Sequence, residues 1–168
     1  MFNVYVVDLS IYNRGGDNGR WLNLPMDESD LDKELEDITG GIHEYGLMDY
    51  ETDIDEYYMR ESESIYHLNE LAELAENTTP QLVSAAIYFR GRDAETCELE
   101  RCIQDMFVIP YDCSTPEESV GRWFIDELGS LEVPDEIENY FDYERYGRDI
   151  LLENYHYTFL DKIYVEGY

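Results

Sequence analysis

Acidic residues run through the whole chain, and apolar residues interrupt them at the period of folded elements. Between Asp27 and Asp37 seven of eleven residues are acidic, yet Leu31 and Leu35 stay apolar. With Ile38 they recur at a spacing that puts side chains on one face of a helix. Over 168 residues, 40 Asp and Glu stand against 11 Lys and Arg, a net charge of −29 at neutral pH. Such a chain lacks the surplus cations needed to neutralise nucleic-acid phosphates or to sit on anionic lipid. A disordered acidic tail is excluded as well. Such tails are poor in apolar and aromatic residues, whereas here 43% of residues are apolar and 14% aromatic. The chain folds, and carrying the charge must serve something. Its 16 Tyr against 6 Phe and 2 Trp favour half-buried rings with wet hydroxyls over a deep core.

The pattern predicts an α+β chain of three small domains: 1–62 (antiparallel sheet plus helix), 63–104 (helical) and 105–168 (sheet plus helices). Phe2 to Tyr12 reads as a strand, residues 13–19 as a turn, and Arg20 to Leu24 as the returning strand. Residues 26–41 read as a helix capped by Asp27 or Ser29 and stopped at Gly40–Gly41. A third strand is expected at Ile42 to Glu51, then a polar connection over 52–63. Ser64 is expected to cap one helix. Thr79–Pro80 should open a second through Phe89, and Asp93 should cap a third to about Gln104. Met106 to Tyr111 reads as a strand. Thr115 to Glu118 reads as a capping box opening a helix with Val120, Trp123, Phe124 and Leu128 inward, stopped by Gly129. Pro134 is expected to begin a helix through Phe141, and Tyr155 to Leu160 with Lys162 to Glu166 to close as a hairpin. Each block is of a size at which a domain is marginal alone, so the blocks should pack on each other or on a partner subunit.

Motifs for chemistry are absent. Glu117–Glu118 or Asp126–Glu127 would serve as an acid pair in a glycosidase, but forty carboxylates make such pairs inevitable. The segment 49–56 alternates acids like the start of a Ca²⁺ loop, yet Ile54 stands where the sharp-turn Gly belongs and Arg60 where a bidentate Glu belongs. Residues 26–37 also lack that Gly. His43, His67 and His156 have no second His at a ligand spacing. Residues 13–19 do not join a strand to a helix as a phosphate loop would, and no nucleophile elbow is present. No catalytic residue, metal or cofactor is expected. Cys97, Cys102 and Cys113 form an odd set without C-x-x-C, read as free thiols in a reducing compartment. The N-terminus lacks a basic n-region, and no apolar stretch approaches the ~18 residues of a membrane span. The expected location is the cytoplasm.

The charge is then the motif. Glu70, Glu73 and Glu76 lie opposite the Leu68–Leu71 stripe of the helix expected after Ser64. Carboxylates three and four apart form rows of anions on a rigid element. B-DNA carries one negative charge per about 1.7 Å of axis, so forty outward carboxylates match roughly 20 base pairs. A merely acidic protein, such as a halophilic one, is the bland alternative. The functional reading is a folded protein presenting phosphate-like charge to a DNA-binding cleft. The carboxylates assigned to that surface are Asp27, Glu28, Asp30, Asp32, Glu34, Glu36, Asp37, Asp53, Asp55, Glu56, Glu70, Glu73, Glu95 and Glu98.

The stretch 124–150 resembles the antirestriction motif of the ArdA family, proteins of plasmids, conjugative transposons and phages. The resemblance rests on Gly129, Val133–Pro134, Asn139–Tyr143 and Tyr146–Asp149. Residues 4–13, 19–27 and 43–51 are similar to the family's opening strands. The resemblance implies an elongated, three-domain homodimer joined through its C-terminal domain. It implies a DNA mimic that occupies the DNA-binding groove of type I restriction–modification enzymes, on their specificity and methyltransferase subunits, protecting incoming DNA without turnover. Self and that enzyme are the implied partners, with no nucleic acid and no membrane. The same mimicry aimed at a nucleoid protein, a defence nuclease or a regulator is the alternative, and an acidic Ca²⁺-binding protein the third. Glu127, Asn139, Tyr140, Phe141, Asp142, Tyr143, Glu144, Tyr146, Gly147, Arg148 and Asp149 make up the motif and expected dimer region, with aromatic anchors of the kind interfaces favour.

Overall fold

The computed structural model describes residues 1–42, 44–55, 57–60 and 63–167. The fold is α+β, as expected. Among the described residues, two three-stranded antiparallel sheets are separated in sequence by helices.

The first sheet has the order β2-β1-β3, from β1 (Phe2–Asp8), β2 (Arg20–Leu24) and β3 (Tyr45–Thr52). Phe2 pairs with Leu24 on one side and Thr52 on the other. Alternation puts Phe2, Val4 and Val6 fully inside. The strand expected to reach Tyr12 ends at Asp8. There the Asp8 carboxylate accepts the backbone N–H of Ser10 at 2.7 Å and of Ile11 at 3.1 Å, opening the short helix α1 (Leu9–Tyr12). An acid able to cap in this way overrides the β-rich composition. Helix α2 (Glu28–Thr39) covers the sheet with Leu31, Leu35 and Ile38 and stops at Gly40, φ 65°.

Helices α3 (Ile65–Asn77), α4 (Pro80–Arg90) and α5 (Thr96–Asp105) make up the central block. Thr79 accepts the N–H of Leu82, with Pro80 at the first helical position. Asp93 does not cap α5. Glu95 does, in a reciprocal capping box with Glu98, while Asp93 pairs with Arg60. One buried apolar cluster joins the first sheet, α2, α3, α4 and α5, and takes in Tyr164 from the second sheet.

The second sheet has the order β4-β6-β5, from β4 (Met106–Ile109), β5 (Tyr155–Phe159) and β6 (Ile163–Gly167). The two faces of β6 go to different cores. Ile163 and Val165 join Ile109, Val120, Phe124 and Leu151 in a second cluster, while Tyr164 belongs to the first. The second cluster is closed by α6 (Pro116–Asp126) and α7 (Tyr143–Asn154). Thr115 caps α6 by accepting the N–H of Glu118 at 3.2 Å, but the Glu118 carboxylate reaches Ser114, one residue before the reciprocal position.

Two expectations in this block are corrected. Leu128 lies beyond the end of α6 and is exposed. The helix expected from Pro134 to Phe141 is only a 3₁₀ turn at Glu138–Tyr140. Ile137 and Tyr140 are 49% and 87% exposed, so only Phe141 at the segment's end finds packing, and a short helix without an apolar face to bury does not persist in water. Helix α7 is an addition to the elements expected from sequence. No helix among the described residues is long and apolar enough to cross a membrane.

Candidate functional site: an acidic face around one helix

Helix α3 carries the site because its two faces differ. Leu68, Leu71, Ala72 and Ala75 are buried, whereas Glu70, Glu73 and Glu76 face solvent. A shallow cleft of about 460 Å³ runs between α3 and the start of α2, lined by Asp27, Glu28, Glu70, Glu73 and Glu76. Toward α5, an adjoining cleft of about 340 Å³ is lined by Glu70, Glu73 and Glu100. Glu70 also borders a third, of about 380 Å³, with Arg60, Arg92 and Glu95. Asp27 and Glu28 at the start of α2, the three acids of α3 and Glu100 of α5 thus line adjoining clefts.

Neutral side chains fix the spacing of these elements. Asn69 of α3 reads the backbone of the β2–α2 connection like a peptide partner. Its Oδ1 accepts the N–H of Met26 and its Nδ2 donates to the carbonyl of Met26, both at 2.9 Å. The Tyr66 hydroxyl donates to Asp32 at 2.7 Å, tying α3 to α2, and Thr96 donates to Glu70 at 2.9 Å, tying α5 to α3. The hydrogen bond to Asp32, then burial, pushes the Tyr66 phenol up to about 12. None of these ties consumes a cation.

Of the carboxylates assigned from sequence, Asp27, Glu28, Asp30, Asp32, Glu36, Asp37, Asp53, Asp55, Glu70, Glu73, Glu95 and Glu98 are exposed. Glu34 is half-buried and accepts from Arg20 at 2.9 Å. Lys33 pairs with Asp30 at 2.6 Å. Glu56 lies outside the described residues. Asp53 is set apart from the helices, beside the N-terminal ammonium group. The segment considered as a Ca²⁺ loop is partly strand: Asp49 and Glu51 lie in β3, and Glu51 accepts from Asn3 at 3.3 Å. Among the described residues, no three His, Cys, Asp or Glu side chains converge as metal ligands would.

The motif residues occupy the α6–α7 corner. Glu127 ends α6; Asn139 and Tyr140 lie exposed in the 3₁₀ turn. Phe141 packs edge-on against Tyr143 at 5.0 Å and Tyr146 at 5.8 Å. Asp142 caps α7 by accepting the N–H of Arg145 at 3.0 Å. Tyr143 is buried beneath the Arg122 guanidinium, 4.2 Å from its ring centre. Arg122 is itself held by Glu118 at 3.2 Å. The Tyr146 hydroxyl meets Ser130 at 2.9 Å, and Arg148 pairs with Glu144 at 3.7 Å. Gly147 is buried against α6, and Asp149 is exposed. The structure therefore brings the motif together, apart from the α2–α3–α5 face.

Sequence reasoning missed Asn69, Tyr66 and Thr96 as the residues that position the acids. Asn69 left one legible trace, a polar side chain flanking the Leu68–Leu71 stripe.

No curated protein matches the chain. A family model described as antirestriction protein (ArdA) matches residues 4–166.

Proposed function

Since the chain belongs to the ArdA family of antirestriction proteins, we propose that its acidic face acts as a substitute for duplex DNA in the DNA-binding groove of type I restriction–modification enzymes. The observation that carries this reading is the set of exposed carboxylates lining the adjoining clefts around α3, with α2, α3 and α5 tied together by Asn69, Tyr66 and Thr96. A flexible acidic chain would lose conformational entropy on entering a groove. A rigid one arrives with its charges already placed. Complementary fields also speed the encounter.

On this reading the partner is a basic groove formed by specificity and methyltransferase subunits, and inhibition is by occupancy, without turnover or cofactor. The fourteen carboxylates act as a sum, so no single one is decisive. The C-terminal motif builds the α6–α7 corner and the contact with a second copy, and the protein works in the bacterial cytoplasm. Mimicry aimed at another DNA-binding host protein is the alternative.

A cleavage assay tests the proposal. Purified type I enzyme is incubated with unmodified target DNA and increasing amounts of the protein. Intact DNA at stoichiometric inhibitor is the expected result; full cleavage at excess inhibitor overturns it. A pulldown from host lysate at low salt that enriches another DNA binder and no type I subunits would transfer the mimicry to that target.

A further inference from the structure

Among the ion pairs of the described residues, the one between the central helices and the second sheet has the most buried carboxylate. Arg90, in the last turn of α4, grips the Glu166 carboxylate of β6 with both terminal nitrogens, one at 2.7 Å. The Glu166 side chain is only 3% exposed. Around it lie Cys102 of α5, fully buried, and Met106, its cross-strand neighbour in β4. Burial, together with the nearby Glu166, pushes the Cys102 thiol up to about 12. Tyr164 of β6 also joins the core of the central block. Neighbouring Ile163 and Val165 turn to the α6–α7 core.

Only the carboxylate is buried, the Arg90 side chain being 39% exposed, and desolvation of a buried charge offsets much of the attraction, so well-packed apolar residues often do as well. What a two-pronged pair supplies is direction: planar guanidinium and carboxylate hold one mutual orientation. We propose that Arg90 and Glu166 are positioning residues that set the angle between the central helices and the C-terminal sheet, and that inhibition depends on this angle. The proposal rests on the mimicry reading above. A groove that reads charge along a duplex meets the α2–α3–α5 acids and those of the C-terminal part together only if the two parts are fixed relative to each other.

The test measures distances within the chain. Spin labels are placed at exposed Cys97 of α5 and at a Glu153→Cys substitution in α7, in a Cys113→Ser background and in excess unlabelled protein. Two clamp variants are compared with this parent: Arg90→Lys, which keeps the charge and loses the planar fork, and the apolar pair Arg90→Met with Glu166→Leu. The proposal expects both to stay folded by circular dichroism, to broaden the distance distribution, and to need several-fold more protein for half-inhibition. Should the apolar pair fail to fold, Arg90→Lys alone decides. A distribution as narrow as the parent's in a folded clamp variant overturns the proposal, as does broadening with unchanged potency. Because the distances are read on the protein alone, a parent that fails to inhibit would sink the mimicry reading while leaving the clamp geometry measurable.

Discussion

Gly147 of α7 lies against Gly121 of α6 so closely that neither position has room for a methyl group. A Cβ at Gly147 would stand 2.7 Å from the backbone nitrogen of Gly121, and one at Gly121 3.1 Å from that of Gly147. Carbonyl oxygens of Glu117 and Tyr143 close the same gap. The glycine of the Tyr146–Asp149 motif is thus a helix-crossing residue. Gly147→Ala should destabilise the protein by about 3 kcal/mol, the upper range for overpacking. Denaturant unfolding checks this. A loss within about 0.5 kcal/mol, as on an open surface, would contradict the crossing.

Asn69 makes the second prediction. Asn69→Ala leaves the N–H and carbonyl of Met26 without their partners. Partly buried groups left unsatisfied cost about 1–3 kcal/mol. Stability should fall by that amount, and exchange of the Met26 amide hydrogen should accelerate. Unchanged exchange would show that α2 is held by other means.

The cysteines should separate by reactivity. Cys97 is exposed, whereas Cys102 is buried with its thiol pushed up to about 12. The thiolate is the reactive form. A thiol reagent at neutral pH should therefore modify Cys97 in the native protein and Cys102 only on unfolding, as read by mass spectrometry of digested protein. Equal labelling of the two would contradict the burial of Cys102.

Tyr66 gives a pH window. Its phenol is pushed from an ordinary 10.0 up to about 12, chiefly because it donates to Asp32. The folded state thus favours the neutral phenol, which contributes fully below pH 10 and is lost as pH rises through about 12. The stability gap between the wild type and Tyr66→Phe should shrink across that window. A gap constant with pH would contradict the raised ionisation of the phenol in the folded state.

Much of this architecture was legible because burial imposed a period. Leu31, Leu35 and Ile38 marked α2, and the Leu68–Leu71 stripe marked α3, correctly separating inside from outside. Local chemistry that competes with period was harder to read. Asp8 ended a strand by capping, and Glu95 took the cap expected of Asp93. Pro134 to Phe141 resembled a helix in its residues, but Ile137 and Tyr140 stay exposed and only Phe141 packs. Helix α7 is buried partly through glycine and tyrosine, a pattern hydrophobic periodicity does not register. Twelve of the fourteen assigned acids were legible as exposed, but the ties that space them join residues 26 to 69, 32 to 66 and 70 to 96. Pairings between separate elements leave no mark in local spacing.

The central claim is that the protein takes the place of DNA, and competition measures it directly. Labelled duplex carrying the recognition site is bound to a type I methyltransferase core and displaced by the protein across a series of salt concentrations. The account predicts mutually exclusive binding. It also predicts an affinity that falls steeply with added salt, as expected when a basic groove is neutralised by many anions at once. A ternary complex with DNA still in the groove, or an affinity indifferent to salt, would contradict it.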